Sequence, residues 1–179
     1  MEIKALKIQG LVELTPRLFK DDRGYFFESY NKKTFHNFGL DLNFVQDNQS
    51  YSSQGVVRGL HFQKSPFGQG KLVRVLKGKI LDVAVDIRKN SPTFAQYESI
   101  ILDSERCNML WIPEGFAHGF SALEESMVMY KCTNVYDKAS ESGIIWNDPN
   151  IAIDWQVANP NVSDKDKELG TIDSLDFYF

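Results

Sequence analysis

The stretch Lys71-Leu72-Val73-Arg74-Val75-Leu76-Lys77-Gly78-Lys79-Ile80-Leu81-Asp82-Val83-Ala84-Val85-Asp86-Ile87-Arg88 decides the fold class of this chain. Leu81, Val83, Val85 and Ile87 fall on one side of a two-residue repeat, and Asp82, Ala84, Asp86 and Arg88 on the other. Such alternation belongs to a pleated strand. Leu72 to Leu76 reads as a second strand, and Lys77-Gly78-Lys79 as the hairpin turn between the two. Working outward, residues 97–102, 108–112 and 127–136 read the same way, as does the opening from Ile8 to Leu18. Helix signals are peripheral: Asn31 caps a helix through Phe38 that Gly39 ends, and Ser163 caps another that starts at Asp164. Many short strands with little helix predict an all-β fold, a jelly roll of antiparallel strands in one domain over residues 1–179.

Composition narrows the function. The chain has 179 residues, 42% of them hydrophobic, enough for a core without covalent staples. Its net charge of -4 disfavours a non-specific nucleic-acid binder. Cys107 and Cys132 show no metal-type spacing and are too few for a disulfide scaffold, which suits a reduced, cytoplasmic protein. No signal peptide or long apolar run is visible, so no membrane partner is expected. The 13% aromatic share suits strands and a ligand cleft.

Arg58, Lys71, Arg74, Asp82 and Asp86 put charge on both faces of predicted strands. Either the register is misread, or the barrel interior holds water and a polar ligand. In Val56-Val57-Arg58-Gly59-Leu60-His61-Phe62-Gln63, Arg58 and His61 lie near the end of one strand, with Lys71 opening the next. His61 alone reads as readily as a structural histidine. Three cationic side chains together call for an anion such as a diphosphate, or for a solvent-filled site.

Pro113-Glu114-Gly115-Phe116-Ala117-His118-Gly119-Phe120 resembles the second half of the cupin signature, in which a tight turn presents a histidine to the barrel. Metal-binding cupins supply two further histidines one residue apart and a carboxylate. Here that pair is His61 and Gln63, and His36 falls in a predicted surface helix. Two imidazoles without a well-placed carboxylate make a poor site, so no metal is expected.

Further segments carry a more specific resemblance: Phe19-Lys20-Asp21-Asp22-Arg23-Gly24-Tyr25-Phe26-Phe27-Glu28, Phe44-Val45-Gln46-Asp47-Asn48, Gly70-Lys71-Leu72-Val73-Arg74, Ser91-Pro92-Thr93 and Trp146-Asn147-Asp148. With the segments around His61, Asp82 and His118, and with Tyr130, Tyr136 and Glu141, the chain from Phe19 to Asp166 resembles the dTDP-4-dehydrorhamnose 3,5-epimerase family. The resemblance implies a cupin-type barrel that inverts two centres of a dTDP-4-keto sugar through enolates, with no cofactor. It also implies a homodimer in which Arg23, Phe26 and Glu28 reach the partner's site.

The implied roles suit the chemistry. His61 matches the base, and Asp166 the carboxylate that fixes its tautomer and stabilises the imidazolium. Tyr130 matches the acid and Lys71 the group beside the enolate oxygen. His118 is expected near the sugar oxygens. Arg23, Glu28, Gln46, Asp47, Asn48, Arg58, Glu141 and Lys165 match positions that contact the sugar nucleotide, and Tyr136 the ring that stacks on thymine. From the residues alone, the plainer readings are preferred: Tyr130 and Tyr136 as core on one strand face, Phe26 and Glu28 as an ordinary edge strand, and Ser163-Asp164-Lys165-Asp166 as an ordinary helix start. The chain departs from the family at Gln156 and over Lys167-Glu168-Leu169-Gly170, which leaves Asp164 as a second candidate partner for His61. Rival readings are a mono-epimerase or 3,4-ketoisomerase on the same scaffold, a metal-dependent cupin, and a carbohydrate-binding jelly roll.

Overall fold

The computed structural model describes residues 1–176 and Phe179. In chain order the first strands are β1 (Glu2–Ala5), β2 (Val12–Thr15), β3 (Phe19–Asp21) and β4 (Gly24–Phe26), followed by helix α1 (Lys32–Asn37). Then come β5 (Gln46–Ser52), β6 (Val56–Gln63), β7 (Lys71–Lys77), β8 (Lys79–Asp86), β9 (Tyr97–Asp103) and β10 (Met109–Ile112). The chain continues through β11 (Phe116–Ala122), β12 (Ser126–Cys132), β13 (Glu141–Gly143), β14 (Asn161–Val162) and helix α2 (Asp164–Lys167). One sheet runs β1-β2-β10-β7-β12-β5, and the facing sheet runs β13-β6-β11-β8-β9. All pairings within these two orders are antiparallel, giving the cupin-like jelly roll; only β14 adds to β6 in parallel. Among the described residues, no helix is long and apolar enough to cross a membrane.

The expected hairpin at Lys77-Gly78-Lys79 is absent. β7 pairs with β10 and β12, whereas β8 pairs with β11 and β9 in the other sheet. Gly78, at φ +80, carries the chain across the gap between sheets, and a Cβ there would lie 2.2 Å from the Glu125 carbonyl oxygen. A local turn signal reports a change of direction; it does not say which strand is met next.

This crossover explains charge on both faces. β8 is buried on both sides. Leu81, Val83, Val85 and Ile87 pack outward under Ile144, Ile151, Trp155, Val162 and Ile172. Ile80 and Ala84 point inward against Val73, Val75, Leu110, Phe120 and Val128, so Asp82, between them in the alternation, faces the interior. The outer face of the first sheet is closed by Phe35 and Leu42 over Leu14, Leu72, Met109 and Trp111.

Both caps form as the sequence predicts. The Asn31 side chain accepts the N–H groups of Lys33 and Thr34, and the Ser163 side chain accepts that of Asp166. Two strands are shorter than expected. The Ile8–Leu18 segment keeps strand pairing only over β2, and β12 stops at Cys132, so Tyr136 lies on the loop beyond it.

Candidate active site

A cavity of about 300 Å³ opens between the sheets, lined by Arg58, His61, Lys71, His118, Tyr130 and Asp166 among others. A second space of about 180 Å³ adjoins it through His61, Lys71 and Tyr130 and is lined further by Gln46, Asn48, Tyr136 and Glu141. His61 comes from β6 and His118 from β11, while Lys71 and Tyr130 come from β7 and β12 across the barrel. The two walls of the cleft therefore belong to different sheets.

Asp166 is 4% exposed, and its Oδ1 lies 2.8 Å from Nε2 of His61. Its Oδ2 accepts the Gly59 N–H at 3.2 Å. Burial opposes ionisation of Asp166, but the His61 hydrogen bond and charge, with bonds from Gly59 and Ser163, hold the carboxyl below its ordinary range. Asp164 takes no part: its side chain is 96% exposed and pairs with Lys167 at 3.0 Å. Gly59, at φ +127, lets β6 come close to β11; a Cβ there would meet the Gly119 Cα at 2.6 Å.

The second imidazole also has its own carboxylate. His118 Nε2 lies 2.7 Å from Oδ1 of Asp82, which is fully buried. The sequence offers a carboxylate partner for His61 alone; the partner of His118 is an addition from the structure. Asp82 was visible in the sequence only as a charge on the inward face of a strand, and its partner lies 36 residues away.

Lys71 is partly exposed to the cleft; removal from bulk water pushes its ammonium pKa down, while Cys132, Asp82 and Glu141 pull it back up. Burial raises the Tyr130 phenol, with Cys132 adding to the rise and Arg58 opposing it. Arg58 is aimed by hydrogen bonds from Nε to Ser52 Oγ and from its guanidinium to the Tyr51 carbonyl, both at 3.0 Å. At the outer end, Lys165 donates to Glu141 at 2.7 Å, and the Tyr136 hydroxyl donates to the same carboxylate at 3.0 Å.

Other expected residues lie elsewhere. Asp47 alternates to the opposite face from Gln46 and Asn48 and binds Lys131 at 2.9 Å. Arg23, Phe26 and Glu28 belong to the β3–β4 hairpin and the segment after it, and do not line the cleft of their own chain. Arg23 is held by Asp21, and Glu28 accepts from Asn31 at 2.9 Å.

A cation-lined cleft inside a jelly roll, with a carboxylate-backed imidazole on one wall and a phenol on the other, defines a cupin-like enzyme equipped for proton transfer. Residues 5–174 match the family model for dTDP-4-dehydrorhamnose 3,5-epimerase. The dTDP-4-dehydrorhamnose 3,5-epimerase of Escherichia coli is 47% identical over 178 residues, covering 98% of this chain and 96% of that protein. The 3,5-epimerase of Legionella pneumophila, solved with dTDP-4-keto-L-rhamnose, superposes with a TM-score of 0.94 at 44% identity, over 98% of this chain and 94% of that one. The enzyme from Elizabethkingia anophelis gives a TM-score of 0.93 at 41% identity, over 99% of both chains. The chain belongs to the dTDP-4-dehydrorhamnose 3,5-epimerase family.

Proposed function

We propose that this enzyme converts dTDP-4-dehydro-6-deoxy-D-glucose to dTDP-4-dehydro-L-rhamnose in dTDP-rhamnose biosynthesis, inverting C3 and C5 by acid–base chemistry without a metal. The observation that carries the reading is the His61–Asp166 pair, 2.8 Å apart, facing a cavity whose opposite sheet supplies Tyr130. The C3 and C5 protons lie beside the C4 carbonyl, so removing either gives an enolate. With Nε2–H donated to Asp166, His61 takes the proton on Nδ1, and Asp166 stabilises the imidazolium. Lys71 places positive charge beside the enolate oxygen. Tyr130, kept protonated by burial, returns a proton on the other face of the sugar. Inversion requires base and acid on opposite faces, and the two sheets offer that arrangement.

The metal-free reading is supported by the donor set: among the described residues, no three His, Cys, Asp or Glu side chains converge as ligands for an ion. The nucleotide reading assigns Arg58 and Lys165 to the diphosphate, Gln46, Asn48 and Glu141 to the outer cleft, and Tyr136 to the thymine ring. The reading takes residues 1–179 as one domain and a homodimer as the working form. The exposed aromatic hairpin, with Phe26 70% and Tyr25 55% exposed, would then carry Arg23, Phe26 and Glu28 to the neighbour's cleft. Free, buried Cys107 and Cys132 suit a cytoplasmic setting.

Incubation with the 4-keto-6-deoxyglucose substrate in D₂O, followed by proton NMR, tests the reaction. Deuterium at both C3 and C5 is expected. Label at one carbon alone would make this a mono-epimerase, and label at neither would overturn the reading. Activity should survive EDTA and dialysis; loss that a divalent ion restores would overturn the metal-free part.

A further inference from the structure

Gln63 follows His61 by two residues and is 4% exposed. Its amide makes three hydrogen bonds. Nε2 donates to the Phe67 carbonyl at 2.7 Å and to the Val135 carbonyl at 3.1 Å, and Oε1 accepts the Asp137 N–H at 2.9 Å. All three partners are main-chain groups of two loops, one after β6 and the other after β12. Two of the bonds straddle Tyr136, gripping the residue before it and the residue after it. Gln46 Oε1 takes the N–H of Tyr136 itself at 2.8 Å. The same two loops are joined again where Gln69 Nε2 donates to the Asn134 carbonyl and the Gly70 N–H to Thr133 Oγ1, both at 2.8 Å.

Tyr136 is 53% exposed, so packing on its ring does little to fix it. Its hydroxyl is tied to Glu141 at 3.0 Å, and its main chain is held by Gln46 at Tyr136 itself and by the buried Gln63 amide on either side. With both protons donated, the amide keeps only one acceptor lone pair for anything else. Gln63 lines the outer space of the cleft, but all three of these bonds go to the main chain.

We propose that Gln63 is a positioning residue for nucleotide recognition: its side chain fixes the main chain on both sides of Tyr136, so that the ring stands ready to stack on the base. This rests on the reading of Tyr136 as the stacking residue. A loop already ordered need not be ordered by the ligand, so losing the clamp weakens every ligand that carries the base. It leaves the proton transfers around His61 unchanged, because binding lost equally from ground state and transition state raises KM and spares kcat.

The test is calorimetric titration with dTDP and steady-state kinetics on Gln63→Leu, Tyr136→Ala and the double variant. Gln63→Leu should raise the Kd for dTDP and the KM for the dTDP-4-keto sugar by the same factor, about tenfold, with kcat within about twofold of wild type. In the Tyr136→Ala background, Gln63→Leu should add nothing to the Kd. Gln63→Met keeps the length of the side chain and loses all three bonds without burying a charge; it should match Gln63→Leu, and it carries the test if Gln63→Leu does not fold. A wild-type Kd in a folded Gln63 variant beside a weakened Tyr136→Ala overturns the positioning role alone. A full extra loss in the double variant, or a fall in kcat with KM unchanged, overturns it as well. A wild-type Kd in Tyr136→Ala overturns the stacking reading and takes the proposal with it.

Discussion

His61 and His118 are directly opposed residues of β6 and β11, yet they bind different carboxylates. His61 reaches Asp166 on α2, and its side chain is 32% exposed to the cleft. His118 reaches Asp82 on β8, with 8% and 0% of the two side chains exposed. The chemistry of the two pairs is the same and their access differs. In the proposed mechanism, the open pair exchanges protons with substrate, while in the tighter pair Asp82 stays out of reach and holds His118 in place at the cavity wall, beside the sugar oxygens.

His61→Asn should abolish both turnover and exchange of substrate protons with D₂O, because no proton leaves; a general base contributes about 10²–10⁴ in rate. Tyr130→Phe should stop or redirect product formation while retaining exchange, since His61 still removes and returns a proton. NMR of both variants, with dTDP binding checked, separates the roles. Equal and complete loss of exchange in both would merge them.

Removal from bulk water makes Lys71 lose its proton at a lower pH than an ordinary lysine. The proposed mechanism needs a cation beside the enolate, so kcat should fall as pH rises through that lowered value. Tyr130, pushed upward, does not supply this limb. Lys71→Arg should move the limb to higher pH, and Lys71→Met should cost about 10²–10³ in kcat. An unmoved limb in Lys71→Arg would assign it to another group.

Acid stability should depend on Asp86. Burial opposes its ionisation, but hydrogen bonds from Arg88, Ser91 and Thr93 bring its pKa down from 3.8 to about 2. A depressed folded-state value stabilises above the unfolded pKa, and that stability is lost as pH falls from about 4 to about 2. The shift corresponds to about 2 kcal/mol. Denaturant unfolding of wild type and Asp86→Asn should show that gap at pH 6 and a smaller one at pH 2.5.

The proposed homodimer predicts complementation. Glu28→Ala and His61→Asn should each be nearly inactive alone. Mixed, and allowed to exchange subunits, they should regain part of the wild-type activity, because some heterodimers hold one intact site. A monomer in sedimentation, or a dead mixture with exchange verified, would show that each site is built from one chain.

The strands were legible because alternation is a local property, as β8 and β9 show. Their partners were not. The step from β7 to β8 reads as a hairpin and is a crossover, since Gly78 turns the chain equally well for either. The site was legible in proportion to its dependence on resemblance. Asp166 lies 105 residues from His61, and no spacing rule joins them. Geometry chose Asp166 over Asp164, because the Ser163 cap leaves Asp164 in solvent and turns Asp166 inward. Asp82 announced itself only as a misfit on an inward face. Gln63 gave no signal, because its partners are main-chain atoms that look alike in every sequence.

The Asp166 carboxylate rides on α2, just after the two-residue ladder of β14 on β6. The same stretch of chain has a second task, since Ile151, Trp155, Val162 and Ile172 cover the outward face of β8. One segment thus seals the barrel from outside and backs His61 from within. Whatever peels it away takes part of the core and the partner of the proposed base together.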